Sequence, residues 1–452
     1  MNYYFTQFKD VKSDEFNDIV IGFDFGTSSS KIIIRSPFIL GKIANAIYFE
    51  ENGHDDNKYL LPTRPFFNEK KILELGSPLS KPQFPALKMR LIDKPNDIAE
   101  DDYTNVDLAV GYIAKALRIS RKWFIETQAG VYGDRKIRWH FNLGIPSTGH
   151  KDEETFNRFN LIAKAAWNVS VVATDVNLEN CKKVFEDMKG GMDLNEIASD
   201  RINIIPEVSA QVMGYIQSTV HQDGSHLLID VGAGTVDICY FTLNLEEDTH
   251  SLLLISVQYN GVFELHSARI NEMRDRFNKW IEKFGFEEDP IKPIPINALG
   301  YFPKTTDNTL TFQMTSDETY QKKTRYQLHF LINEAKKSRD PNSPQWDSGV
   351  ISFLTGGGRN TSVYNNAVND VNEWLQTKGN VCGLRMIELP QPPNLNIGDP
   401  PIPDYQRLSV AFGLSHTKDE LGKIIPEYEI GDLIIEKGQK DISDDFISKD
   451  QV

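Results

Sequence analysis

Asp18-Ile19-Val20-Ile21-Gly22-Phe23-Asp24-Phe25-Gly26-Thr27-Ser28-Ser29-Ser30-Lys31-Ile32-Ile33-Ile34-Arg35 reads as an apolar strand ending in an aspartate, a Gly/Thr/Ser turn, and a second apolar strand. The same plan returns at His226-Leu227-Leu228-Ile229-Asp230-Val231-Gly232-Ala233-Gly234-Thr235-Val236-Asp237-Ile238-Cys239-Tyr240-Phe241-Thr242-Leu243. A repeated hairpin with an acid at the same place predicts two related halves facing a cleft. A third strand-to-glycine turn follows at Val350-Ile351-Ser352-Phe353-Leu354-Thr355-Gly356-Gly357-Gly358-Arg359-Asn360.

The chemistry of these turns follows from residue type. Glycine lets backbone amides approach an anion closely, and neighbouring hydroxyls donate to its oxygens. An aspartate at a buried strand end needs a partner, which a hydrated divalent cation supplies. Asp24-Phe25-Gly26-Thr27-Ser28-Ser29-Ser30-Lys31 is not a Walker A loop, because the glycine before Lys-Ser/Thr is missing. A Ser-rich turn with a locally bonded aspartate accounts for it equally well. The second turn also reads as a tight hairpin with a capping aspartate, and the third as a simple flexible loop. Their order and separation favour a shared ligand.

Around the turns, strands and helices alternate, which predicts an α/β fold with a substantially parallel sheet. A polar leader over 1–18 is expected to be loosely ordered. A Pro-rich stretch from Leu61 to Pro95 has few periodic segments. A helix is predicted over Val106–Thr127, a strand through Lys136–Pro146, and a helix from Asp152 to about Asn168. A strand over Val169–Asp175, a helix near Asn180–Lys189, a strand Arg201–Glu207 and a helix from Val208 to about Thr219 complete the first half. Later come helical sequence after Gly261, a strand Thr309–Met314 and a long helix ending near Lys337. The expected division is a first lobe over 19–220, a second over 221–415, and an acidic tail over 416–452.

Lys plus Arg number 49 and Asp plus Glu 64, a net charge of −15 that disfavours nucleic acid as a partner. No run approaches the roughly eighteen apolar residues of a membrane span. Neither a basic leader nor an apolar signal core opens the chain, so the expected compartment is the cytoplasm. Cys181, Cys239 and Cys382 are scattered and form no CxxC pair, against disulfides or structural zinc. The Asn168-Val169-Ser170 sequon reads as a chance match, and His150, His221 and His226 lack metal-ligand spacing.

With these residues in view, the three turns resemble the phosphate-1, phosphate-2 and adenosine motifs of the actin, heat-shock-chaperone and sugar-kinase superfamily. Pro206-Glu207-Val208-Ser209-Ala210-Gln211-Val212-Met213-Gly214-Tyr215 and Leu408-Ser409-Val410-Ala411-Phe412-Gly413 resemble its two connecting helices. Within it the chain is most similar to the nucleotide-binding domain of DnaK-type chaperones, through Leu143-Gly144-Ile145-Pro146-Ser147 and Asn203-Ile204-Ile205-Pro206-Glu207. Resemblance covers about 19–261 and 331–415. It implies a two-lobed actin-like ATPase fold with duplicated ribonuclease-H-like cores, holding ATP or ADP with Mg²⁺. By position Asp24 and Asp230 would hold the metal through waters. Gly26, Thr27, Ser28, Gly232, Gly234 and Thr235 would cradle phosphates, and Gly356, Gly357 and Gly358 would line the adenosine. Glu207 and Asp237 would orient the attacking water. On its own, Glu207 is also a plain acid at a helix N-terminus.

The departures are specific. Gly261-Val262-Phe263-Glu264 stands where the chaperones carry Gly-Gly-Glu-Asp-Phe, and Arg359 sits one position early. About forty residues past the second connecting helix leave no room for a peptide-binding sandwich, and Glu429–Ile435 reads as a terminal strand or a short interdomain linker. For the cation on the terminal phosphate, actin-like proteins use the end of the first turn, where Lys31 stands. The chaperones use an Ala-Lys-Arg-Leu-Ile-Gly stretch, matched here by Ala86-Leu87-Lys88-Met89-Arg90-Leu91-Ile92-Asp93 with the lysine one place early. On an extended segment that slip turns Lys88 to the wrong face, so Lys31 is expected as the main phosphate lysine and Lys88 as secondary. The expected function is a slowly hydrolysing, DnaK-like molecular switch whose lobes open and close with nucleotide to control a protein partner or co-chaperone. The alternatives are an actin-like filament former and a small-molecule kinase.

Overall fold

The structure, a computed structural model, describes residues 4–430 except 40, 52, 54–56, 77–83, 85, 147–151, 173, 285–293, 298–299, 301–313, 380 and 399–403. The chain divides into two compact units: Met1–His221 with Leu389–Leu421, and Gln222–Glu388 with the chain from Gly422 onward. The first segment carries β1 (Phe16–Asp24), β2 (Ser29–Arg35), β3 (Ala44–Ala46), α1 (Leu87–Asp93) and α2 (Asn105–Thr127). It continues through β4 (Lys136–Ile145), α3 (Glu153–Val171), α4 (Leu178–Lys189), β5 (Ile202–Pro206), α5 (Glu207–Gln211) and α6 (Met213–Ile216). The second unit opens with β6 (Gly224–Val231), β7 (Val236–Asn244), β8 (Thr249–Gln258), α7 (Val262–Phe284) and α8 (Thr315–Glu334). Then come β9 (Val350–Thr355), α9 (Ser362–Thr377) and β10 (Leu384–Ile387). The chain next returns to the first unit with β11 (Leu395–Asn396) and α10 (Ser409–Leu414), and ends in the second with β12 (Lys423–Ile425).

The fold is α/β, and its two sheets repeat one plan. In the first unit the order is β5-β4-β1-β2-β3-β11; in the second it is β10-β9-β6-β7-β8-β12. In each, three consecutive antiparallel strands are extended beyond the first by two parallel ones. In each, a late segment adds a parallel strand at the far edge. Strand β1 has every residue from Asn17 to Asp24 buried, as expected of a central strand covered on both faces.

Several boundaries differ from the sequence expectation. Val169–Val171 close α3, where a strand was expected. Tertiary contacts override the β-branched sequence here. Arg118 and Arg121 of α2 reach the end of α3, donating to the carbonyls of Val169 (2.8 Å), Ser170 (3.1 and 2.7 Å) and Val172 (2.5 Å), which satisfies acceptors the helix end would leave open. Residues 4–18 of the leader are not loose. Phe8 is buried in the core, Trp139 donates to the Thr6 carbonyl (2.8 Å), and Gln7 bonds both backbone groups of Ile137. The helix expected from Val208 is shorter and is interrupted at Val212. The stretch Leu61–Pro95 hides α1, whose Leu87, Lys88 and Leu91 are buried at helical spacing.

The second connecting helix, α10, was expected in the second lobe and belongs to the first unit. It lies on β1, where a side chain at Gly22 would strike the backbone of Ala411 and Ser415. It also crosses α5 so closely that a side chain at Gly413 would strike the Ala210 carbonyl. Asn142 of β4 pins its end by donating to the carbonyls of Leu414 (2.8 Å) and His416 (2.7 Å). Residues 416–430 are likewise no tail: β12 pairs with β8, and Glu420 takes two hydrogen bonds from the buried Arg35 (2.6 and 3.0 Å) and one from Lys42. Residues 431–452, most of the Glu429–Ile435 stretch and the expected strand at 309–313 lie outside the described residues.

Burial alone would raise the Glu420 carboxyl, but the Arg35 guanidinium and the Lys42 ammonium hold it at about 2. A depressed carboxylate stabilises the fold fully above its unfolded value and loses that contribution as pH falls through the folded value. Urea unfolding between about pH 5 and pH 2 should therefore cost the native chain roughly 2–3 kcal/mol more stability than Glu420→Gln. Parallel pH profiles would remove the ion pair from this role.

Candidate functional site

In the first unit, β1 ends on the buried Asp24, which sits opposite Lys31 in the β1/β2 register. Lys31 Nζ donates to Asp24 Oδ2 at 2.9 Å. Between them Gly26, Thr27 and Ser28 are half-exposed, and their backbone amides donate to no acceptor among the described residues. A side chain at Gly26 would strike the Ser29 carbonyl. The outgoing arm is fixed from behind: Thr63 N donates to the Ser28 carbonyl (2.9 Å), and the Ser30 and Thr63 hydroxyls lie 3.1 Å apart. Open amides on an immobilised turn form an anion-binding concavity.

A second cluster in this unit joins Lys88 to Glu207. Glu207 is the first residue of α5, immediately after Pro206 ends β5. Its carboxylate lies against Gly144 of β4, where an added Cβ would come within 3.0 Å of Glu207 Cγ. Lys88, buried in the first turn of α1, donates to both Glu207 oxygens at 2.6 and 2.9 Å. The objection that Lys88 faces the wrong way presumed an extended segment. On a helix a one-residue offset is a rotation of about 100°, not a reversal.

Arg407 is a cation the sequence reading missed. It precedes α10, is half-buried, and its guanidinium makes no hydrogen bond or ion pair among the described residues. Burial draws it below the ordinary arginine value, while Asp404 and Asp24 pull it the other way. The only sequence cue was its place at the start of the connecting-helix motif.

In the second unit the same arrangement recurs with a different charge. Asp230 ends the hairpin's first strand opposite Asp237, the register position that Lys31 holds in the first unit. Asp230 also pairs with Thr355 of β9, and the third glycine turn begins there. Gly356 adopts φ +83°, and a side chain at it would strike Asp230 Oδ1. Gly358 donates to the Val231 carbonyl at 2.9 Å, whereas Gly357 is exposed.

The 232–235 turn is held by the chain entering α7. The amides of Gly261, Val262 and Phe263 donate to the carbonyls of Gly234 (3.2 Å), Gly232 (3.1 Å) and Ala233 (2.8 Å). Those carbonyls therefore point towards α7, and the amides of Ala233, Gly234 and Thr235 donate to nothing among the described residues. Gly261 is required for this seat, because a Cβ there would collide with the backbone of Ala233, Gly234 and Thr235. Arg359 pairs with Glu388 at 3.0 Å.

Each turn, taken by itself, combines the features of an anion-binding loop: open amides with hydroxyls at Thr27 and Ser28 in the first and at Thr235 in the second, beside acids at Asp24 in the first and at Asp230 and Asp237 in the second. Among the described residues no group of three or more His, Cys, Asp or Glu is placed to ligate a metal directly. Cys181, Cys239 and Cys382 form no disulfide among the described residues, and no described helix is long and apolar enough to cross a membrane. The chain matches no family model and no curated protein.

Removing one partner of a buried ion pair strands the other's charge. Lys88→Ala should destabilise the chain by about 3 kcal/mol, and the Lys88→Met/Glu207→Gln double variant should recover part of that loss. Strict additivity in a denaturant double-mutant cycle would show that the pair is not coupled.

Proposed function

We propose that this chain is a Mg²⁺-dependent ATP-binding switch of the actin and DnaK-type chaperone kind. It would work in the cytoplasm, hydrolyse ATP slowly, and report its nucleotide state to a protein partner. The fold implied is the two-lobed, duplicated ribonuclease-H-like ATPase. One observation carries the reading: the same strand order occurs in both units, and in both the first hairpin ends in an acid beside a turn with open amides. Chance glycine turns have no reason to fall at the same place in two sheets.

Under this reading the 26–28 and 232–235 turns are phosphate-binding loops, and Gly356 to Gly358 give bare backbone to the adenosine. Mg²⁺, when bound, offsets phosphate charge. Asp24, Asp230 and Asp237 are the acids that would hold its waters. Glu207 orients the attacking water, and Lys88, already within hydrogen-bonding distance of Glu207, brings a cation to the same place. That juxtaposition supports the chaperone branch, with the lysine supplied from α1. Lys31 on Asp24 supports the actin branch, in which the lysine comes from the turn itself and nucleotide would govern self-assembly. No sugar-kinase acceptor motif supports a small-molecule kinase.

Millimolar Mg·ATP or Mg·ADP should raise the melting temperature of the chain, and a flat response would remove the reading's base. Glu207→Ala should keep nucleotide affinity and slow turnover by about 10²; an unchanged rate would return Glu207 to a structural role. Lys88→Ala and Lys31→Ala separate the branches. A severe loss of turnover in the first with a mild one in the second fits the chaperone branch, and the reverse, with a pellet on sedimentation in ATP, fits the filament former.

A further inference from the structure

Arg407 closes the single helical turn Tyr405–Arg407 that leads into α10, and packed neighbours fix its backbone. Tyr405, Gln406 and Leu408 are all buried. The amides of Arg407 and Leu408 donate to the carbonyls of Asp404 (2.9 Å) and Tyr405 (2.8 Å), and the Gln406 side chain donates to the Leu389 carbonyl at 2.9 Å. Tyr405 lies so close to α6 that a side chain at Gly214 would strike its hydroxyl. Helix α10 in turn rests on β1 at Gly22, two residues before Asp24. This backbone brings the Arg407 guanidinium near enough to Asp24 for the two charges to interact.

The two lysines expected at a phosphate each already meet an acid. Lys31 donates to Asp24 at 2.9 Å, and Lys88 donates to both oxygens of Glu207. Arg407 has no such partner among the described residues, and Asp404 uses one oxygen to accept the Gln406 amide (3.1 Å). Burial outweighs the attraction of Asp404 and Asp24, since the guanidinium is drawn below the ordinary arginine value. In the unliganded fold this cation is therefore a net cost. A group kept at a cost to stability marks a place where function needs it. The 26–28 turn beside Asp24 offers amides and hydroxyls, which are neutral, and the charge of Lys31 is offset by Asp24. Arg407 supplies the positive charge that these do not, and its planar fork matches two oxygens of one phosphoryl group.

We propose that Arg407 is a phosphate-binding residue of the first unit, its guanidinium donating to two oxygens of the phosphate seated on the 26–28 turn. The proposal rests on the ATP-binding reading above and adds to it a cation beyond Lys31 and Lys88. The test is calorimetric titration of the full chain with Mg·ATP, together with the ligand-free melting temperature, for the native chain, Arg407→Gln and Arg407→Lys. Arg407→Gln should bind Mg·ATP about 10–100-fold more weakly, the effect of losing a charged hydrogen-bonding group. Its ligand-free melting temperature should be no lower than that of the native chain. Arg407→Lys, which keeps the charge and loses the fork, should bind with intermediate affinity. Native binding with unchanged affinity in Arg407→Gln would overturn the role of Arg407 and leave the ATP reading standing. Weaker binding with a lowered ligand-free melting temperature in both variants would make Arg407 a structural residue and overturn the proposal as well. A native chain that responds to Mg·ATP in neither measurement would overturn the ATP reading and this proposal with it.

Discussion

A carboxylate at the end of a buried strand is the constraint from which both units are built. Such a group is costly to desolvate unless something answers its charge. The two units differ at this point. In the first unit Lys31 crosses from the neighbouring strand to Asp24, and the pair is formally neutral. In the second unit the same register position holds Asp237, so two acids stand side by side. The glycines follow from this. Gly356 must lack a side chain because Asp230 already occupies the space, and Gly26 because the turn folds back on the Ser29 carbonyl. One architecture is thus repeated with its charge inverted at one position.

The sheet cores were legible in the sequence because strands buried on both faces read as apolar runs, and the acid and glycines mark where each run must stop. What escaped were features set by long-range contact. Val169–Val171 looks like a strand by propensity, yet Arg118 and Arg121, some fifty positions earlier, hold it in helix. The leader looks polar by composition, but Phe8 and the Thr6 carbonyl are claimed by α2 and Trp139. Of the candidate site, the turns and their acids could be named. The seat made by Gly261 and the proximity of Arg407 to Asp24 could not, because neither carries a local pattern.

The pairing of Lys88 with Glu207 shows how a wrong intermediate inference arises. Ala86 occupies the left-handed region at φ 52° and α1 starts directly after it, between Pro85 and Pro95. Two prolines so close together mimic a loop in a periodicity reading. Once the helix is recognised, the lysine's offset from the chaperone motif no longer excludes it. Gly144 then explains why the carboxylate can sit against β4 at all.

The first unit is assembled from two distant pieces of chain, since β11 and α10 arrive only after the whole of β6 to β10 has been made. During synthesis, β1 would leave the ribosome with the face over Gly22 bare and the Asn142 amide without its carbonyls, and would stay so while the chain between is translated. At about 5–20 residues per second that interval lasts roughly twenty to eighty seconds. Of its described strands the second unit lacks only β12 when Glu388 emerges. Its central strands can therefore pair before the first unit receives β11 and α10.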